Sequence, residues 1–164
     1  MNIKIIGLLT AFFLIFANHV FARVHSQENG LFKMDIPEGW HWVEYPEEIV
    51  VTYPDGKTAA IDIQLMPSIK LTPQGVKKAL SASIDRMINE GINAHAGTLI
   101  GNKEIKIDGV DARELNFKIN PQNPLQVRYL AFFNKGYAFT ITYGANDEKT
   151  RLLMDDSIAT LKLT

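Results

Sequence analysis

Apolar and polar residues alternate along Thr58–Leu65. Ala59, Ile61, Ile63 and Leu65 share one side, and Thr58, Ala60, Asp62 and Gln64 share the other. A period of two marks a half-buried strand. Ile49–Tyr53, just before it, is β-branched and aromatic. Pro54-Asp55-Gly56 joins the two runs as a turn, so the pair predicts a hairpin. The period then changes. Val76, Ala79, Leu80, Ser83, Ile84, Met87 and Ile88 recur every three or four residues. Thr72 is placed to cap this helix, Pro73 to start it and Gly91 to end it. Period two then returns. Ala96–Ile100 and Lys103–Ile107 predict short strands, and Asp108-Gly109 turns into Val110–Ile119. Residues 120–124 form a loop with two prolines. Val127–Phe133 is apolar on both faces, as a central strand requires. Asn134-Lys135-Gly136 turns into the alternating run Tyr137–Tyr143. Asn146 or Asp147 caps a last helix with Leu153, Met154, Ile158 and Leu161 inward.

Strands joined by tight turns pair antiparallel. The predicted class is α+β: an antiparallel β-sheet of about six or seven strands packed with two main α-helices. Several strands carry one small or polar face (Asp62 and Gln64, Glu114 and Asn116, Thr140 and Thr142), which predicts solvated or partly covered ground.

The N-terminus departs from this pattern. Lys4 precedes an apolar run, Ile5–Ala17, and a short polar region ends in Val20-Phe21-Ala22. This arrangement predicts a signal peptide over residues 1–22, cut between Ala22 and Arg23. The run is shorter than the ~20 residues a membrane-spanning helix needs. Residues 23–30 are polar and read as a flexible lead-in, and residues 31–164 read as one domain. The expected location is periplasmic or secreted, with no stable membrane anchor once the signal is removed.

Charge and cysteine content narrow the function classes. Lysine and arginine total 17 against 18 acids, a net charge of −1. No basic excess is available to follow a nucleic-acid backbone, so a nucleic-acid partner is not expected. There is no cysteine. Export usually permits disulfides, so this fold relies on packing alone. The cysteine that bacterial lipid anchoring requires is also missing.

Catalytic signatures are few. Of four histidines, His25, His41 and His95 lie beyond the leader, and none has zinc-ligand spacing. There is no nucleophile elbow, phosphate loop or dinucleotide fingerprint. No segment matches a calcium-binding EF-hand loop. Asp108-Gly109-Val110-Asp111 reads as a hairpin turn rather than a metal site. No catalytic residue, metal ligand or cofactor is therefore assigned. The alternative is an exported hydrolase using His41 or His95, with acids brought together by the fold.

The segment from Phe32 through Ile36, Pro37 and Gly39 to Trp40 combines an aromatic residue, an alternating strand and Pro-x-Gly-Trp. The run Asn134–Ala145 leads into an acid-capped final helix. Together these features resemble the PsbP-like family over roughly Leu31 to Leu163. The resemblance implies an antiparallel sheet sandwiched with helices, in an αβα arrangement. It also implies an accessory or binding protein rather than an enzyme. Members include extrinsic subunits of the oxygen-evolving photosystem, periplasmic DcrB-like proteins and a nuclear-import factor that binds a small GTPase. No residues here match a photosystem docking or metal site. The expected function is thus a non-enzymatic accessory protein of the bacterial envelope, bound to another protein or an envelope component. Phe32, Pro37, Gly39 and Trp40 are the structural motif, with Trp40 as a core anchor. Trp42, His41 and Tyr45 are the candidate binding residues, with Trp42 as the exposed aromatic if strand twist carries it to the rim.

Overall fold

A computed structural model describes residues 22–68, 71–93, 96–119, 122 and 125–164. Its strands run β1 (Ala22–Ser26), β2 (Phe32–Pro37), β3 (His41–Tyr45), β4 (Glu48–Thr52) and β5 (Ala59–Pro67). Helix α1 (Pro73–Arg86) continues into a π-helical segment, Met87–Ile92. Then come β6 (Thr98–Ile107), β7 (Val110–Ile119), β8 (Leu125–Asn134) and β9 (Tyr137–Ala145). Helix α2 (Glu148–Ala159) and the short β10 (Lys162–Leu163) close the order.

The alternating runs become one antiparallel sheet of seven strands in the order β3-β4-β5-β9-β8-β7-β6. Its hairpins turn where the sequence supplies positive φ. Asp108 and Gly109 sit at φ 47° and 84°, and Lys135 and Gly136 at 46° and 82°. Two consecutive positive values suit a two-residue turn whose twist matches the strands. A second sheet, β1-β2-β10, has three strands and is also antiparallel. The fold is α+β as expected, with two α-helices, a principal antiparallel sheet of seven strands and a further three-stranded sheet.

Helix α1 begins as its residues require. The Thr72 hydroxyl accepts a bond from the Gly75 amide at 3.1 Å, with Pro73 in the first turn. Asp147 rather than Asn146 caps α2, accepting from the Thr150 amide at 2.9 Å.

Register assigns each residue to one of two faces, because residues directly opposite in a ladder share a side. On the front face, Leu115, Phe117, Val127 and Tyr129 pack beneath Leu80 and Ile84 of α1 and Ile92 of the π-helical segment. On the back face, Ile49, Val51, Ile61, Ile63, Ile141 and Leu130 meet Phe32, Met34 and Ile36 of the small sheet, with Met154 of α2. The sheet therefore lies between α1 in front and the small sheet plus α2 behind.

Helix α2 is tied to the back face by charge as well as burial. Tyr143 donates its phenol to Asp155 at 3.0 Å, and Arg128 reaches Asp155 at 3.3 Å. Glu114, almost fully buried, pairs with Lys103 at 3.1 Å. Burial pushes the Tyr143 phenol well above its ordinary value, and the Asp155 charge adds to the shift.

Four details differ from the sequence reading. Polarity makes 23–30 look like a loose lead-in, yet Ala22–Ser26 is a strand laddered to β2. Backbone pairing needs no apolar side chains. Gln27 supports it by donating to Glu44 at 2.9 Å while accepting from the Leu31 amide at 3.1 Å. Gly91 does not stop α1 but lies inside the π-helical segment, where an added Cβ would run into the Met87 sulfur. Thr98–Ile107 is one strand with an irregularity between Leu99 and Gly101 rather than two strands. Finally, Glu114 and Asn116 lie on the back face, opposite Asp62, Gln64, Thr140 and Thr142.

Candidate functional site

The front face is covered on one side only. Helix α1 packs on β7 and β8. Strands β3, β4 and β5, with the neighbouring side of β9, carry no helix among the described residues. The sequence of these strands explains why. Their front positions are His41, Val43 and Tyr45 on β3, Glu48, Val50 and Thr52 on β4, and Ala60, Asp62, Gln64 and Met66 on β5. Small, polar and apolar residues are mixed there, whereas the back positions of β4 and β5 (Ile49, Val51, Ala59, Ile61, Ile63 and Leu65) are apolar throughout.

This surface exposes more apolar area than isolated residues would. Val43 is 44% exposed, Tyr45 51% and Met66 47%. Lone exposed apolar residues are ordinary, but a group on one sheet face marks an interaction surface.

Two acids lie among them. Glu48 is directly opposite Gln64, and Val50 is opposite Asp62, so the two carboxylates are diagonal neighbours. Asp62 Oδ2 accepts from Gln64 Nε2 at 3.3 Å, while Oδ1 is buried without a hydrogen-bond partner. Partial burial raises the Asp62 carboxyl above its usual range, and the nearby Glu48 charge raises it further. Neither acid has an ion-pair partner among the described residues.

Two clefts follow the open flank of α1. One, of about 420 Å³, has Ala60, Asp62, Thr142 and Gly144 on its floor and Met87 and Gly91 on its wall. The other, of about 240 Å³, runs between Ala79, Ala82 and Ser83 of α1 and the strand residues Met66 and Thr140. Small residues on both sides keep the step between helix and bare strands open.

The residues singled out in the sequence fall in three places. Phe32, Pro37 and Trp40 are buried, and Gly39 adopts φ 85° in the turn that brings the Trp40 amide to the Pro37 carbonyl at 3.2 Å. Trp40 meets Tyr53 edge-on, with centroids 5.4 Å apart. His41 and Tyr45 are on the open front face. Trp42 is on the back face, stacked on His25 at 5.2 Å and tilted against Phe32 at 6.2 Å. The structure therefore places His41 and Tyr45 on the same face, at opposite ends of β3, and puts Trp42 on the other side of the sheet. Asp62, Glu48, Val43 and Met66 were not singled out as site residues. Only Asp62 carried a signal, the polar side of the Thr58–Leu65 alternation.

His41 forms no hydrogen bond or ion pair among the described residues, and His95 lies outside them. No group of three or more histidine or acidic residues is placed to hold a metal ion among the described residues. No described helix is long and apolar enough to cross a membrane. The expected signal peptide lies almost entirely outside the described residues.

No family model and no curated protein matches the sequence. Solved structures do match. Cyanobacterial PsbP (CyanoP) from Synechocystis sp. PCC 6803 is 13% identical, with 91% of this chain and 96% of that chain covered at a TM-score of 0.65. The Ran-binding protein Mog1p of Saccharomyces cerevisiae is 9% identical, with 88% and 96% covered at 0.57. LpqN of Mycobacterium tuberculosis, involved in cell envelope biogenesis, is 17% identical, with 90% and 92% covered at 0.54. At such identities the likeness is one of fold.

Proposed function

We propose, with a PsbP-like fold as the premise, that this chain is a non-enzymatic, exported accessory protein that binds another protein through the uncovered half of its principal sheet. The observation that carries the reading is the grouping of exposed Val43, Tyr45 and Met66 on one face beside α1. Burying such a patch releases ordered water at roughly 25 cal/mol per Å² of apolar area. The signal-like N-terminus supports export. The fold likeness to a Ran-binding protein and to a protein of envelope biogenesis supports a binding role. Catalysis receives no comparable support, because among the described residues His41 forms no hydrogen bond or ion pair with a nucleophile or an acid.

Site-specific photocrosslinking in the native host tests this reading. A photoreactive residue at Val43 or Met66 should give one dominant crosslinked protein. The same residue at Leu152, exposed on α2 on the opposite side, should not. Crosslinks only from Leu152, or equal smears from every position, would overturn the assignment of this face.

A further inference from the structure

We propose that the occupant of the uncovered half-face is an amphipathic helix of a partner protein, with an apolar stripe flanked by lysine or arginine. This rests on the reading that the face docks a protein. It adds the shape and charge of the docking element.

Dimensions come first. Neighbouring strands lie about 4.8 Å apart, so the four strands from β3 to β9 span roughly 14 Å. A helix with its side chains is about 10–12 Å across. The bare strip therefore admits one helix and not two. The nine residues of β5 extend for roughly 30 Å, the length of about 20 helical residues.

Helix α1 shows how this sheet accepts a helix. On the covered half, large front-face residues such as Phe117 and Tyr129 meet Leu80 and Ile84. On its open flank α1 presents Ala79, Ala82 and Ser83 to one of the clefts. Small side chains allow a neighbouring helix to approach to about 8–10 Å between axes. Its side chains would enter the two clefts, and its apolar stripe would cover Val43, Val50 and Met66.

Charge selects among occupants. Glu48 and Asp62 lie centrally in the bare strip without ion-pair partners among the described residues, where Asp62 Oδ1 is also buried without a donor. A second copy of this face would set the acids against themselves. An anionic membrane surface would be repelled. A helix carrying a lysine or arginine beside its apolar stripe supplies the missing donor and positive charge.

The experiment uses the full-length chain and two synthetic helices of about 18 residues. Both have the same leucine and alanine stripe, flanked by lysines in one and glutamates in the other. Amide resonances report where each binds, and titration reports how tightly. The lysine helix should perturb β3–β5 and weaken about 10-fold in the Glu48→Gln, Asp62→Asn double variant. The glutamate helix should bind at least about 10-fold more weakly than the lysine helix. Equal binding of both helices, or perturbations confined to the back face, overturns the proposal. So does a lysine helix indifferent to the double variant, or a concentration-dependent dimer that buries the same strands. If neither helix binds while Val43 still crosslinks to a partner in the host, the helical occupant is refuted and the docking face survives. If the crosslink is absent as well, both fall.

Discussion

Replacing Trp42 with alanine tests whether this indole holds the two sheets together. Its ring is half-buried between them, against His25 of β1 and Phe32 of β2. A tryptophan can bury 150–250 Å², so a half-buried one gives up about 120 Å² on truncation, or roughly 3 kcal/mol at 25 cal/mol per Å². Lost ring contacts would add to this, and local collapse would subtract. For a domain of this size, a loss of about 3 kcal/mol lowers Tm by roughly 10 °C. The loss should be uneven. β1 is an edge strand whose side-chain ties to the large sheet include the His25–Trp42 stack and the Gln27–Glu44 hydrogen bond. Urea titration should therefore show the global loss, and hydrogen exchange should show β1 amides losing protection before those of β8 and β9. Trp42→Phe, which retains a ring, should recover more than half of the loss. A cost below about 1 kcal/mol with β1 still protected would refute this account. Binding to the front face should change little, because Trp42 is on the other side of the sheet.

Trp40→Ala should cost about 3–4 kcal/mol in urea titration, because this more deeply buried ring packs edge-on against Tyr53. Tyr143→Phe and Asp155→Asn should show a coupling of about 1–2 kcal/mol in a double-mutant cycle, since a largely buried phenol donates to a charged acceptor. Asp62→Asn isolates one titration. The folded-state carboxyl binds its proton more tightly than the unfolded one, so wild-type stability falls as pH rises from the ordinary aspartate range to the raised value. The stability difference, variant minus wild type, should accordingly grow with pH across that window and then level off. A flat difference would show that Asp62 titrates normally. Asp55, Asp108, Asp111 and Asp147 are shifted downward and act at lower pH, and they cancel in this difference.

Much of the fold was legible because it is locally encoded. The alternation in 58–65 and 137–143, the turns at Asp108-Gly109 and Lys135-Gly136, and the cap at Thr72-Pro73 each act within a few residues. β1 was not legible, because its order comes from a ladder to β2 and from a ring on β3. The π-helical segment was equally hidden, since Met87–Ile92 retains a helical pattern while changing its hydrogen bonding. At the candidate site the sequence showed a polar side on β5 but not which strands α1 would cover. That depends on pairing between distant strands. The same alternation put Trp42 opposite His41 and Tyr45. Only the small sheet behind it explains why strand twist does not bring it to their rim.

The small sheet also sets an order of assembly. Its central strand, β2, is flanked by β1 from the start of the described chain and β10 from its end. The Asp35 amide donates to the Thr160 hydroxyl across 125 residues of sequence. Contacts so distant in sequence carry a loop-closure cost and slow folding relative to hairpin formation. The β7–β8–β9 meander can form from adjacent segments while Phe32, Met34 and Ile36 still await their lid. During that interval a chain synthesised from its N-terminus carries an unsatisfied apolar strand near its beginning. Until the C-terminal segment arrives, that strand presents apolar side chains and unpaired backbone on which chains can associate with one another.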